Sequence, residues 1–532
     1  VRGVPIVTFN PLRERGLVRF TNPQSPTEML TGSETEVSTQ YHQVKAGGDI
    51  AAIMGMCKAL VAADDAASKA GEPAVLDHDF MAQHTHGFEA FAADIRRHSW
   101  AHLERRSGLP REAMEAAASV YAACERVIGV FGMGLTQHRA GVEAVRMVAN
   151  LLLLRGNIGK EGAGICPVRG HSNVQGQRTV GISEKPELVP LDRIAEQFGF
   201  SPPREKGMNT VEACEAILAE KVRGFISLGG NFIRAIPERE AMEQAWSKLR
   251  LTVQVATKLN RSHLVHGEIS YILPCLGRTE IDMRETGAQT VSVEDSTACI
   301  HGSKGVRGPA SPHLLSEPKI VAELAKATLA VNPKLDWDAW VADYARIRDA
   351  IEQTYPEMFR DFNRRFLTPG GFRRPIAASR REWKTKNGKA NFVVPSSLNE
   401  DPDMPEDSHD VLRMMTLRSN DQFNTTIYGY SDRFRGIEGT RMVVLMNRDD
   451  VDRLRLKSGE LVGIRTMAND RIREMHGFRV TPYDIPPGCI GTYYPEANAL
   501  IPLWHHAERS KVPAAKSIPV TVFRTNEISL FK

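Results

Sequence analysis

The stretch ERVIGVFGMGLTQHRAGVEAVRMVANLLLLRGNIG constrains the fold more than any other part of the chain. Residues 127–131 are a short apolar run. Gly132 and Gly134 follow, and then Val142, Val145, Val148 and Leu152 recur at helical spacing. Gly156 stands where a helix C-terminal cap belongs. Strand, glycine loop and helix in that order are the plan that holds phosphate or a dinucleotide at a helix N-terminus. The plan returns in GFISLGGNFIRAIPE (224–238), and LTVQVATKLNRS (251–262) is a strand ending in polar residues. Open parallel sheets bind ligands beyond the carboxyl ends of their strands, which makes Gly229, Gly230, Asn231, Thr257, Lys258 and Asn260 candidate contacts.

The other elements follow the same logic. VPIVTF (4–9) reads as a parallel strand buried on both faces, stopped by Asn10-Pro11. Ile53, Met56, Cys57, Leu60 and Val61 share one helix stripe, and Met114, Ala117, Ala118 and Tyr121 share another. Residues 316–366 read as helical, with Trp337 and Trp340 on one face. Residues 368–410 read as a linker with a short hairpin at 383–394. After residue 411 the pattern changes to short strands (VLRMMTL, MVVLM, ELVGIRT, CIGTYY, IPVTVF), as in a β-barrel. The expected fold class is α/β: Rossmann-like parallel-sheet domains plus a C-terminal, double-psi-like β-barrel. The expected boundaries are 1–171 and 172–366 for two dinucleotide-binding domains, 367–410 for the linker and hairpin, and 411–532 for the barrel.

Bulk properties exclude several classes. A net charge of +4 over 532 residues is too balanced for nucleic acid to be the main partner. No apolar run reaches membrane-spanning length. The seven cysteines form no CxxC pair, so the sequence carries no zinc-knuckle or iron–sulfur pattern, and their scatter fits a reducing compartment, the cytoplasm. The chain opens almost directly on a strand, from which we expect it to be the later part of a longer protein. His78, His84 and His86 match no common zinc spacing. Asp77 and Thr85 read as helix punctuation, and the adjacent His505 and His506 are expected at the surface.

The loop CPVRGHSNVQGQRTVG (166–181) combines bare backbone, positive charge and no acid. Together with GMGLTQHRAGVEAVRMVANLLLLRGNIG (132–159), GGN (229–231), LRSNDQFNTTIYG (417–429) and NALIP…KVPAAKSIPV (498–520), it resembles the molybdopterin oxidoreductases of the dimethyl-sulfoxide-reductase and formate-dehydrogenase type, in a YdeP-like branch of formate dehydrogenase alpha subunits. The resemblance implies a bis-(molybdopterin guanine dinucleotide) cofactor with molybdenum or tungsten, a metal ligand and often a [4Fe–4S] cluster upstream of this chain, and a possible electron-transfer partner subunit.

The physical needs of such a ligand select residues. Diphosphate suits backbone N–H groups bared by glycine: Gly132, Gly134, Gly156, Gly170, Gly176, Gly229 and Gly230. Pterin edges suit amides: Gln137, Asn157, Asn173, Gln175, Gln422 and Asn424. Asn10 and Arg13 end the first strand, where a nucleoside contact is expected, and the resemblance adds Asn498 and Lys516. It also puts Arg169 beside the metal, where a guanidinium clamps a carboxylate such as formate. His171, two residues on, carries an imidazole able to relay a proton near neutral pH. Formate dehydrogenases tend to carry glutamine at the His171 position, which opens reduction of another small oxyanion. A cofactor-poor structural electron-transfer subunit is the remaining alternative.

Overall fold

A computed structural model of the protein describes residues 3–405, 408–423 and 427–525. The chain forms two compact units. One comprises Val1–Ile165, Arg234–Glu240 and Ala377–Lys532, the other Cys166–Ile233 and Ala241–Ile376.

The first unit is built around the helix Asp49–Ala70, which buries Ile50, Met54, Met56, Cys57, Leu60 and Val61. Arg111–Ala123, Gly141–Leu153 and Trp100–Ser107 pack around it. Each long apolar side chain buried there contributes about 1.5–3 kcal/mol. Gly55 is a requirement of that packing, because a Cβ on it would lie 2.2 Å from Met114 Sδ. The predicted strand at 127–131 forms as Ile128–Phe131. The opening strand is shorter than its apolar run: Val7–Phe9 pairs in parallel with Gln40–His42. It is half-buried, and Val4 and Ile6 are exposed, so it is not covered on both faces. In place of a hairpin over 383–394, a turn leads into Ala390–Asn391, which pairs in parallel with Thr85–His86.

The same unit carries a closed six-stranded barrel. Its strands run around it in the order Leu412–Leu417, Cys489–Tyr493, Val443–Met446, Glu474–Pro482, Leu461–Thr466, Ile518–Arg524. Two neighbouring pairs are parallel and the rest antiparallel. Met414, Val444, Met446, Val462, Ile464, Phe478 and Ile490 fill its interior.

The second unit holds a parallel sheet in the order Ile269–Pro274, Leu251–Ala256, Gly224–Leu228. Phe225 packs against Trp246 at 4.7 Å between ring centroids. An antiparallel set, Val291–Glu294 with Cys299–Ser303 and Phe372–Arg373, stands apart from that sheet. The region expected to be helical forms five helices between Glu317 and Arg365, and the Trp337 and Trp340 rings meet edge-on at 5.6 Å. The fold class is thus α/β with parallel sheets and a C-terminal β-barrel. Among the described residues, no helix is long and apolar enough to cross a membrane.

Candidate functional site

In the second unit, the loop beginning at Cys166 is braced by one hairpin. Arg169 donates its backbone N–H to Ser296 Oγ at 3.1 Å. Asn173 adopts a left-handed conformation and its Oδ1 accepts from the Glu294 N–H at 3.0 Å. Gln175 Nε2 donates to the Asp295 carbonyl, and Arg374 clamps Glu294 at 2.9 Å. The buried Gly176 is pressed against Asn173, since a Cβ there would lie 1.9 Å from Asn173 Oδ1. The amides of Asn173 and Gln175 therefore serve the loop itself. Arg169, Gly170 and His171 are exposed on it. Among the described residues, the Arg169 guanidinium makes no hydrogen bond or ion pair.

Gly229 and Gly230 close the strand Gly224–Leu228 with φ of +69° and +80°, a conformation that disfavours side chains. The Gly229 N–H is held by the Val255 carbonyl at 2.8 Å, while the flank of Gly230 is open. Thr257, Lys258 and Asn260 follow the adjacent strand. Asn260 caps the short turn at Arg261–Leu264, and Thr257 and Lys258 are exposed. Asn231 is buried beside the turn.

In the first unit, segments far apart in sequence meet. The Lys516 N–H donates to the Gln137 carbonyl at 3.2 Å, which ties the GMGLTQ turn to the end of the barrel. Gly132 and Gly134 have no atom within 4 Å of the position a Cβ would take. Lys516 Nζ donates to the Thr416 carbonyl. The residue is part-exposed but its ammonium lies deep in the protein, and burial, with Arg418 and Arg435 nearby, pushes it down to about 7. Arg418 lies 3.7 Å over the Tyr494 ring and is also held below its usual range by burial. Neither cation has an ion pair with an acid among the described residues. Their neighbours differ: Arg435 pairs with Glu14 at 2.5 Å and Asp432 at 2.8 Å, and Arg441 with Glu496 at 2.7 Å. Two sunken cations without an acid fit an anionic ligand such as a diphosphate.

Several amides here hold the fold. Gln422 donates to the Tyr494 carbonyl at 2.8 Å and accepts from Ser419 N–H and Arg441 at 3.0 Å. Asn498 bridges the carbonyls of Ala235 and Ile236 at 2.7 and 2.5 Å. Asn157 accepts from Val127 N–H and donates to Tyr121 Oη. Gly156, at φ +62°, packs against Asp77 and Phe80. Asn10 donates to the Leu12 carbonyl at 2.6 Å, and the exposed Arg13 sits 5.5 Å over the Tyr41 ring. Asn424 lies outside the described residues.

Asp77 caps the helix His78–His84 and Thr85 ends it, as expected. His78 bonds Asp64 at 2.8 Å, and His84 accepts from Trp383 at 3.4 Å. The expectation for His505 fails. It is 1% exposed, and its Nδ1 donates to the Ala514 carbonyl at 2.8 Å, so the ring is held inside.

One group was missed from sequence: Asp49, His138, Glu400 and Asp401. His138 Nδ1 lies 2.8 Å from Asp401 Oδ2, and Asp401 Oδ1 accepts from the Arg139 N–H at 3.0 Å. Asp401 holds the imidazole up to about 9 against burial, while burial raises the Glu400 and Asp49 carboxyls. Its members come from three segments, and only TQH (136–138) lay within a motif, so no spacing could reveal them.

Comparison with known proteins fits this architecture. No family model matches the chain. It is 47% identical over 528 residues to protein YdeP of Escherichia coli K12, covering 99% of this chain and 69% of that one. It is 40% identical over 527 residues to an uncharacterized oxidoreductase of Mycobacterium tuberculosis H37Rv, covering 97% and 66%. The solved acetylene hydratase of Pelobacter acetylenicus shares the fold with a TM-score of 0.61 over 98% of this chain and 74% of that one, at 13% identity.

Proposed function

The chain belongs to the YdeP branch of the molybdopterin oxidoreductases of the dimethyl-sulfoxide-reductase and formate-dehydrogenase type, and from that premise we propose that it oxidises formate to CO2 using bis-(molybdopterin guanine dinucleotide) with molybdenum or tungsten. When bound, that group supplies the acceptor for two electrons. In the first unit Arg418 and Lys516 would hold diphosphate by charge, and N–H groups bared at Gly132 and Gly134 would take further phosphate oxygens; in the second unit the open flank of Gly230 would offer its N–H to phosphate in the same way. Within each unit, the other candidate glycines and amides are proposed to brace the backbone that carries these groups.

Formate oxidation releases CO2, one proton and two electrons. The site therefore needs one group to orient the carboxylate and one to accept the proton. Arg169 is assigned the first role, since its planar fork matches a carboxylate bidentately. His171 is assigned the second, since imidazole exchanges protons near neutral pH. The observation that carries this reading is the Arg169 guanidinium, exposed and without a side-chain partner among the described residues, on a loop pinned through Ser296, Glu294 and Asp295. A partner protein would take the electrons. The seven free cysteines agree with a cytoplasmic setting. Reduction of another small oxyanion is the second reading, favoured by the imidazole of His171.

Formate-dependent viologen reduction by the metal-loaded holoenzyme tests the assignment. Arg169→Ala should lower kcat/KM by about 100-fold or more at unchanged molybdenum content. Equal rates would remove Arg169 from the mechanism. A loaded enzyme inert toward formate that oxidises reduced viologen with an oxyanion would shift the assignment to the second reading.

A further inference from the structure

We propose that Arg278, Ser172 and Ser303 form a binding subsite for a small oxyanion in the second unit, on the flank of the loop that carries Arg169. Arg278 stands four residues past the carboxyl end of the edge strand Ile269–Pro274, the side on which open parallel sheets take ligands. The residue is exposed. Its Nη1 donates to Ser172 Oγ, and its Nη2 donates to Ser303 Oγ at 3.1 Å. Ser172 directly follows His171, and Ser303 ends the strand Cys299–Ser303. One guanidinium thus joins the loop to the antiparallel set.

This trio offers donors and lacks an acceptor. A serine hydroxyl has one proton to give and lone pairs to accept with. Both serine oxygens already accept from Arg278, and among the described residues neither hydroxyl makes another hydrogen bond. Two hydroxyl protons and the remaining guanidinium N–H groups therefore meet no protein acceptor among the described residues. An oxyanion, with several lone pairs and a negative charge, can take all three groups at once.

The local charge agrees. Among the described residues Arg278 makes no ion pair. Glu280, two residues on, is engaged by backbone, since its carboxylate accepts from the Gly277 and Ala310 N–H groups. Asp282 pairs with Arg284 at 2.8 Å, and Asp295 accepts from Thr297 and Cys299. The segment bonded alongside Arg278's own adds only cations: the Val306 N–H donates to the Thr279 carbonyl at 2.9 Å and the Ile281 N–H to the Arg307 carbonyl at 2.8 Å. Lys304 and Arg307 on that segment are exposed and make no ion pair among the described residues. Cations gathered without acids raise the local potential and favour a bound anion. Carboxylate, phosphate and sulfate share this chemistry. Only the role of the subsite rests on the formate reading: an anionic substrate would be gathered here, beside the loop, and passed to Arg169.

The test titrates inorganic phosphate into the purified full chain and follows 31P line broadening, a readout apart from catalysis. Arg278→Gln should weaken phosphate binding about tenfold or more. Ser172→Ala combined with Ser303→Ala should weaken it several-fold while leaving the guanidinium in place, which keeps the test open if Arg278→Gln disturbs the loop. Phosphate held in the first unit is common to parent and variants and cancels in the comparison. In the holoenzyme, phosphate should compete with formate, and Arg278→Gln should raise the formate KM more than it lowers kcat. Equal phosphate affinity in the parent and both variants would overturn the subsite, whatever the activity. Phosphate binding lost in the variants of an enzyme inert toward formate would uphold the subsite and remove the formate reading.

Discussion

Replacing Lys516 by methionine should stabilise the cofactor-free chain at neutral pH. Burial moves this ammonium from its ordinary 10.5 to about 7. Between those values the unfolded chain holds a proton that the folded chain lacks. The destabilisation is therefore complete below pH 7 and fades as the pH rises toward 10.5. At about 1.4 kcal/mol per pH unit, the displacement costs about 4 kcal/mol at pH 7, and the part-exposed side chain trims this to about 2–4 kcal/mol. Methionine replaces the aliphatic stem without the charge. The assay is thermal unfolding of both proteins, purified from cells grown without molybdate, at several pH values. Lys516→Met should melt several degrees higher at pH 7 and converge with the parent near pH 10.5. Differencing the two cancels the other titrating groups. Pyrophosphate should raise the parent's melting temperature more than the variant's. A variant that melts lower at pH 7, or an offset that does not shrink with pH, would refute the buried-cation argument.

Three further outcomes are expected. Glu238, buried between Arg471 and Arg473 and accepting from the Leu503 N–H at 3.0 Å, should cost about 2–4 kcal/mol when changed to alanine, with Asp470 limiting the loss by still pairing with Arg473; urea unfolding reads this. The His138–Asp401 pair has the opposite pH sense to Lys516. An imidazole held at about 9 contributes stability that is full below its ordinary 6.5 and gone above 9, so Asp401→Asn should lose about 3 kcal/mol at pH 6 and much less at pH 9.5 in the same melting assay. Gly176→Ala should displace Asn173 from Glu294, cost about 1–2 kcal/mol and make the loop a site of limited proteolysis with the barrel unaffected.

The elements most legible in the sequence were those whose apolar residues keep one period. The strands at 224–228 and 251–256 and the helices around Met56 and Met114 form where their patterns lie. Five barrel strands were readable and the sixth, Glu474–Pro482, was not. Gly477 at φ +82° interrupts its alternation opposite a register shift at Val462–Ile464, so its apolar residues do not alternate cleanly. The candidate loop was visible as glycine and charge without a period, but the use of Asn173 and Gln175 as internal braces depends on a hairpin more than a hundred residues later. The unpaired burial of Arg418 and Lys516 and the Asp49–His138–Glu400 group depend on long-range closure, which no local spacing encodes.

Seven residues, Arg234–Glu240, belong to the first unit although the chain on both sides of them belongs to the second. They supply the carbonyls that hold Asn498 and the carboxylate that holds Arg473. A gene fusion that swapped 166–376 for a homologous cassette or a short linker would thus carry away part of the barrel's own scaffolding. Evolution can exchange this module only together with its stitch, and a dissected first half should be insoluble unless that heptapeptide is returned to it.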